Sequence, residues 1–101
     1  MENVTAEKLK ELQSKGNKLL VQYTASWCGP CKALSPRLEN FENEYQGVIF
    51  SKVDVDQNVD AAMELNIRSV PTVIIYDGDK IVNRSQGAQP DNFYKDILNR
   101  L

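Results

Sequence analysis

Two cysteines are the side chains of this sequence best suited to nucleophilic chemistry, and they stand close together in the string Trp27-Cys28-Gly29-Pro30-Cys31-Lys32. Two intervening residues let both sulfurs meet in a tight ring. Gly29 and Pro30 supply the turn, and Pro30 pre-sets φ for a first helical turn. The preceding residues, Lys18 to Thr24 (KLLVQYT), read as a strand buried on both faces, and the following ones as an amphipathic helix. A cysteine at such a junction faces backbone N–H groups and the positive end of the helix dipole, which favour a thiolate. Cys28 should therefore titrate below the ordinary cysteine value of about 8.5 and act as a nucleophile toward disulfides. Cys31, one turn deeper, would resolve the mixed disulfide by attacking Cys28 and releasing a reduced substrate.

Other uses of the pair must be weighed. A structural disulfide closing so short a ring stabilises by only about 2 kcal/mol in the chain-entropy model, and it suits a secreted chain better than this one. A four-ligand zinc site needs more than two cysteines in a chain without histidine. The lack of histidine also removes the commonest general base. The formal net charge is −2, with Lys and Arg spread along the chain, so no basic stripe points to nucleic acid. No apolar run approaches the roughly 18 residues that span a bilayer. The start, Met1-Glu2-Asn3-Val4-Thr5, lacks the basic and apolar stretches of a secretion signal. The expectation is a cytoplasmic protein with neither nucleic-acid nor membrane partners, built as one domain over residues 1–101.

The elements that must hold the cysteines can be read along the chain. Thr5 caps a first helix carrying Leu9 and Leu12, with Gly16 as its stop. After the strand to Thr24, the cysteine helix runs to about Tyr45 with a stripe of Leu34, Leu38, Phe41 and Tyr45. Pro36 falls inside it, removing one backbone bond. Val48 to Val55 reads as a second central strand. Asn58 to Leu65 reads as a short helix turning Val59, Ala62 and Met63 inward. Thr72 to Tyr76 is a third strand, Asp77-Gly78 a hairpin turn, and Lys80 to Arg84 the antiparallel return. Pro90, as first helical residue, opens a last helix with Phe93, Ile97, Leu98 and Leu101. Strand–helix–strand followed by a hairpin implies an α/β fold, a mixed sheet with helices on both faces.

The string WCGPCK, Val70-Pro71-Thr72 and Gln86-Gly87-Ala88 together resemble the thioredoxin family, over nearly the whole chain from Val4 to Leu101. The resemblance implies the thioredoxin fold, a central mixed sheet of four to five strands with about four helices, and a protein-disulfide reductase working through Cys28 and Cys31. It implies a cis peptide before Pro71, where the residues alone equally allow an ordinary trans proline. It also implies an apolar substrate patch of Trp27, Gly29, Pro30, Val70, Pro71, Gly87 and Ala88, for which plain core packing is the residue-level alternative at Val70 and Ala88. Backbone beside Pro71 would pair with an extended substrate segment. No cofactor is expected beyond the redox-active disulfide. The expected partners are oxidised protein disulfides and a recharging reductase, either flavin- and NADPH-dependent or ferredoxin-linked, and the protein is expected to be a monomer.

The chain departs from the family at Gln22, six residues before Cys28, where a buried aspartate is usual. Lys52 matches the family's buried lysine and would lack its carboxylate partner. Either Gln22 is a neutral replacement that avoids burying a carboxylate and slows proton transfer, or Lys52 serves as the base. Thr24 replaces a usual aromatic residue, and the first edge strand shrinks to residues around Asn3 and Val4. Two other functions compete: a disulfide oxidase or isomerase, against which the Gly-Pro pair argues, and a non-catalytic accessory subunit that docks through the patch.

Overall fold

The strand that hydropathy singles out, Lys18–Thr24, lies at the centre of a five-stranded sheet in the computed structural model, which describes residues 1–101. In chain order the elements are β1 (Glu2–Asn3), α1 (Ala6–Ser14), β2 (Lys18–Thr24), α2 (Gly29–Glu42), β3 (Val48–Asp54), α3 (Val59–Glu64), β4 (Thr72–Asp77), β5 (Lys80–Gln86) and α4 (Asp91–Leu98). The sheet order is β1-β3-β2-β4-β5. β1, β3 and β2 run parallel, while β4 pairs antiparallel with β2 and β5 with β4. β1 is only two residues long, extended by the Val4 N–H donating to the Lys52 carbonyl at 2.8 Å.

Pleating splits β2 between two cores. Leu20 faces Leu34, Leu38 and Phe41 of α2 and Tyr94, Ile97 and Leu98 of α4. Leu19, Val21 and Tyr23 face Leu9 of α1 and, on the same side, Leu65 and Ile67. Both sides of the central strand are thus covered, which is why its apolar run is unbroken at all but one position, Gln22.

Helix ends follow local chemistry. The Thr5 side chain accepts the Lys8 N–H at 3.1 Å, and Gly16 ends α1 in the left-handed region at φ 79°. Pro36 sits within α2 at an exposed position, so the carbonyl it cannot satisfy faces water.

Four details differ from the sequence reading. α2 ends at Glu42 rather than near Tyr45, because the Glu44 and Tyr45 N–H groups turn back onto the Phe41 and Glu42 carbonyls at 3.1 Å each. Pro90 is the residue flanking α4 rather than its first helical member, with ψ 153°. The hairpin turn falls on Gly78 and Asp79, since Asp77 still pairs with Lys80. In α3, Val59 and Met63 point outward, 55% and 73% exposed, whereas Ala61, Ala62 and Leu65 are half-buried. This rotation comes from a polar anchor. Asn58 accepts the Ala6 N–H at 2.9 Å and donates to the Asp54 carbonyl at 2.9 Å, setting where the helix starts. A register shift between Ile75 and Tyr76 leaves Val82 as an extra residue in β5.

Candidate active site

β2 ends at Thr24, and after Ala25, Ser26 and Trp27 the chain enters α2 with Cys28 as its capping residue. Cys28 holds extended backbone, φ −91° and ψ 107°, and its Sγ accepts the Cys31 N–H at 3.2 Å. A sulfur thus occupies the place that a serine or aspartate oxygen usually takes at a helix start. The same N–H and the helix dipole favour negative charge on Sγ when the pair is open. Gly29 and Pro30 form the exposed first turn. Cys28 and Cys31 are joined as a disulfide with Cα atoms 5.3 Å apart, within the ordinary range. Their residues are 3% and 2% exposed, so exposure does not distinguish them, whereas only Cys28 holds the capping position.

Around the sulfurs the surface is apolar. Ala25, Cys28 and Cys31 form a small buried cluster against which Val55 and Val70 pack. The Val70–Pro71 peptide is cis. Gly87, at φ 72°, donates its N–H to the Pro71 carbonyl at 2.8 Å, which joins the second patch segment to the first. Ala88 follows it at the exposed surface. Trp27 is 69% exposed, and its indole N–H is fixed by Asp56 Oδ2 at 2.8 Å. Between Trp27 and the segment Ile67 to Val70 lies a slot of about 90 Å³. The sequence reading missed Asp56. Its only signal is that Asp54-Val55-Asp56 continues a strand ending level with β2.

Gln22 lies beneath α2, fully buried. Its Nε2 donates to the Cys31 carbonyl at 3.2 Å, and its Oε1 accepts from Ser35 Oγ at 3.0 Å. Ser35 Oγ also lies 3.0 Å from the Cys31 carbonyl. Sequence reasoning missed Ser35, one helical turn after Cys31 and therefore on the same face. Lys52 is the parallel-strand neighbour of Gln22, half-buried and without an ion pair. It shares with Cys31, Thr24, Ser35 and Asp54 an open polar cleft of about 410 Å³.

No group of three or more His, Cys, Asp or Glu is assembled to hold a metal ion. No helix is long and apolar enough to cross a membrane. The arrangement is suited to one chemistry, the opening and closing of a dithiol.

Comparison with known proteins agrees. The Thioredoxin family model matches residues 1–99. The chain is 38% identical over 99 residues to a thioredoxin of Mycoplasmoides gallisepticum, covering 97% of this chain and 99% of that one. It is 44% identical over 78 residues to thioredoxin-2 of Saccharomyces cerevisiae, covering 76% and 75%. Among solved structures, Fasciola hepatica thioredoxin superposes with a TM-score of 0.88 at 34% identity, covering 100% of each chain.

Proposed function

This chain belongs to the thioredoxin family of protein-disulfide reductases, and on that premise we propose how its own residues carry out thiol–disulfide exchange. In the reduced protein, the Cys28 thiolate attacks one sulfur of a substrate disulfide, and the other substrate sulfur leaves as a thiolate and takes up a proton. Cys31 then gives up its proton and attacks Cys28 Sγ. The second substrate thiolate is released, and the Cys28–Cys31 disulfide closes. The protons of both cysteines go to solvent and the product thiols take theirs from it, so what passes from the pair to the substrate is two electrons. A reductase, flavin- and NADPH-dependent or ferredoxin-linked, returns them.

The observation that carries the assignment of Cys28 as nucleophile is its capping position, with the Cys31 N–H directed at Sγ from 3.2 Å. Trp27, Gly29, Pro30, Val70, Pro71, Gly87 and Ala88 form the surface on which an extended substrate segment lies, its backbone pairing beside Pro71. Gln22 acts as the neutral replacement. Its bonds to Ser35 and to the Cys31 carbonyl hold the resolving residue in place without offering a proton acceptor. Lys52 lines the solvent cleft through which the Cys31 proton leaves. The protein works as a cytoplasmic monomer, with its electrons stored in the cysteine pair and no bound cofactor.

Single-cysteine variants test the assignment. Cys31→Ser accumulates a covalent adduct with a disulfide substrate, visible by mass spectrometry, and Cys28→Ser loses turnover to background. An adduct trapped on Cys28→Ser instead would reverse the two roles.

A further inference from the structure

Two arginines bond the segments next in sequence to Gly87–Ala88 and to Val70–Pro71, and neither hydrogen-bonds a cysteine. Arg37, on α2, donates from Nε and Nη2 to Asp91 Oδ1 at 3.0 and 2.9 Å, and from Nη2 to the Gln89 carbonyl. The Gln89 N–H in turn donates to the Tyr94 hydroxyl at 3.0 Å. The chain just after Gly87 and Ala88 is therefore tied at both backbone polar groups of one residue. Arg84, on β5, sends its guanidinium to the Leu65 carbonyl and to the Asn66 carbonyl, the latter at 3.0 Å. These carbonyls lie just past the C-terminus of α3, where backbone oxygens lack helical partners and a cation is favoured. Asn66 holds a left-handed φ of 55° and stands four residues before Val70 in the chain. The two tied segments meet where the Gly87 N–H reaches the Pro71 carbonyl.

We propose that Arg37 and Arg84 are positioning residues for protein substrates, each fixing one backbone wall of the substrate groove. The proposal rests on the disulfide-exchange reading above. A substrate held through main-chain pairing must meet ordered backbone, and each wall left loose subtracts its ordering cost from binding. The Gly87 N–H to Pro71 carbonyl bond continues the β4–β5 ladder at one end of the walls, and away from it each wall is held by a guanidinium. A guanidinium bonded to loop carbonyls orders the loop through groups that the substrate need not use. Its planar fork reaches two acceptors at once, which a lysine ammonium on a flexible stem does less well. A disulfide without a peptide backbone has nothing to pair with the walls and does not sense them.

The test compares Arg37→Gln, Arg84→Gln and the two Lys variants on two substrates, with the folded fraction of each checked by urea unfolding. One substrate is a disulfide-linked peptide pair, the other a small aromatic disulfide lacking peptide bonds. The expected result is a peptide KM raised about five- to tenfold in each Gln variant and less in each Lys variant. Reduction of the small disulfide and the midpoint potential of the cysteine pair stay unchanged. If a Gln variant does not fold, the Lys variant at that position carries the comparison. Equal losses on both substrates, or a shifted potential, would overturn the proposal by placing the effect at the sulfurs or in the fold as a whole. An unchanged peptide KM in every folded variant would overturn it by showing that the walls hold alone. A wild-type protein that reduces neither substrate would sink the disulfide-exchange reading first, before any variant is compared.

Discussion

Gln22 and Tyr23 are neighbours on β2, and the pleat sends them to opposite faces of the sheet. Each is a polar side chain with almost no solvent exposure, and each must find a partner or lose stability. Tyr23 finds a single one, the Tyr76 hydroxyl at 2.8 Å, between α1 and the sheet and far from the cysteines in function. Gln22 finds Ser35 and the carbonyl of Cys31 itself. The same physical problem is solved once with a closed pair and once with a link to the reacting residue. A change at Tyr23 should therefore be felt in stability alone, and a change at Gln22 in both stability and rate.

Three experiments probe that contrast. The largest effect is expected from alkali. Burial pushes the Tyr23 phenol far above its ordinary value, with Tyr76 adding to the shift, and burial also raises Tyr76. Unfolded tyrosines lose their protons near pH 10 while the folded ones keep theirs, so the unfolded state binds fewer protons and stability falls as pH rises. Below about pH 9 these groups add no pH dependence. Above pH 10 the slope from Tyr23 approaches about 1.4 kcal/mol per pH unit, measurable by urea unfolding, and a Tyr23→Phe, Tyr76→Phe double variant should lower the slope to what Tyr94, also raised by burial, leaves. Next comes Gln22→Asp, which buries a carboxylate and should lower stability at pH 7 by about 2 kcal/mol. It should also speed disulfide reduction several-fold near neutral pH. An unchanged rate would mean that even a carboxylate at position 22 takes no part in removing the Cys31 proton. The smallest effect is Tyr76→Phe, about 1 kcal/mol from the hydroxyl left unpaired on Tyr23, with turnover per folded molecule unchanged. Lost turnover there would erase the distinction between the two faces.

Much of the architecture was legible because its signals are local. The apolar run of β2, the Thr5 cap and the strand–helix junction at Cys28 each depend on a few adjacent residues. What escaped depends on contacts between distant ones. Val59, Ala62 and Met63 have helical spacing, as do Ala61, Ala62 and Leu65, and in a six-residue helix hydropathy cannot choose between the two faces. The choice is made by Asn58, whose side chain bonds Ala6 and Asp54. Gly78 shows the same limit. The Asp-Gly pair announces a turn, but the turn sits one residue later, and the Gly78 N–H is taken by the Asn17 carbonyl at 2.9 Å. At the site, both cysteines and the segments around Pro71 and Gly87 stand in recognisable strings. Ser35 and Asp56 do not, since their importance comes from what β2 and Trp27 present to them.

The two rims of the sheet carry a consequence for how the molecule behaves in a crowd. One rim strand is two residues long, and the other is interrupted by the extra residue Val82, with Lys80 exposed beside it. Neither presents the long, flat row of unpaired amides on which identical chains stack into ribbons. Both rims thus offer little template for strand addition by a second chain.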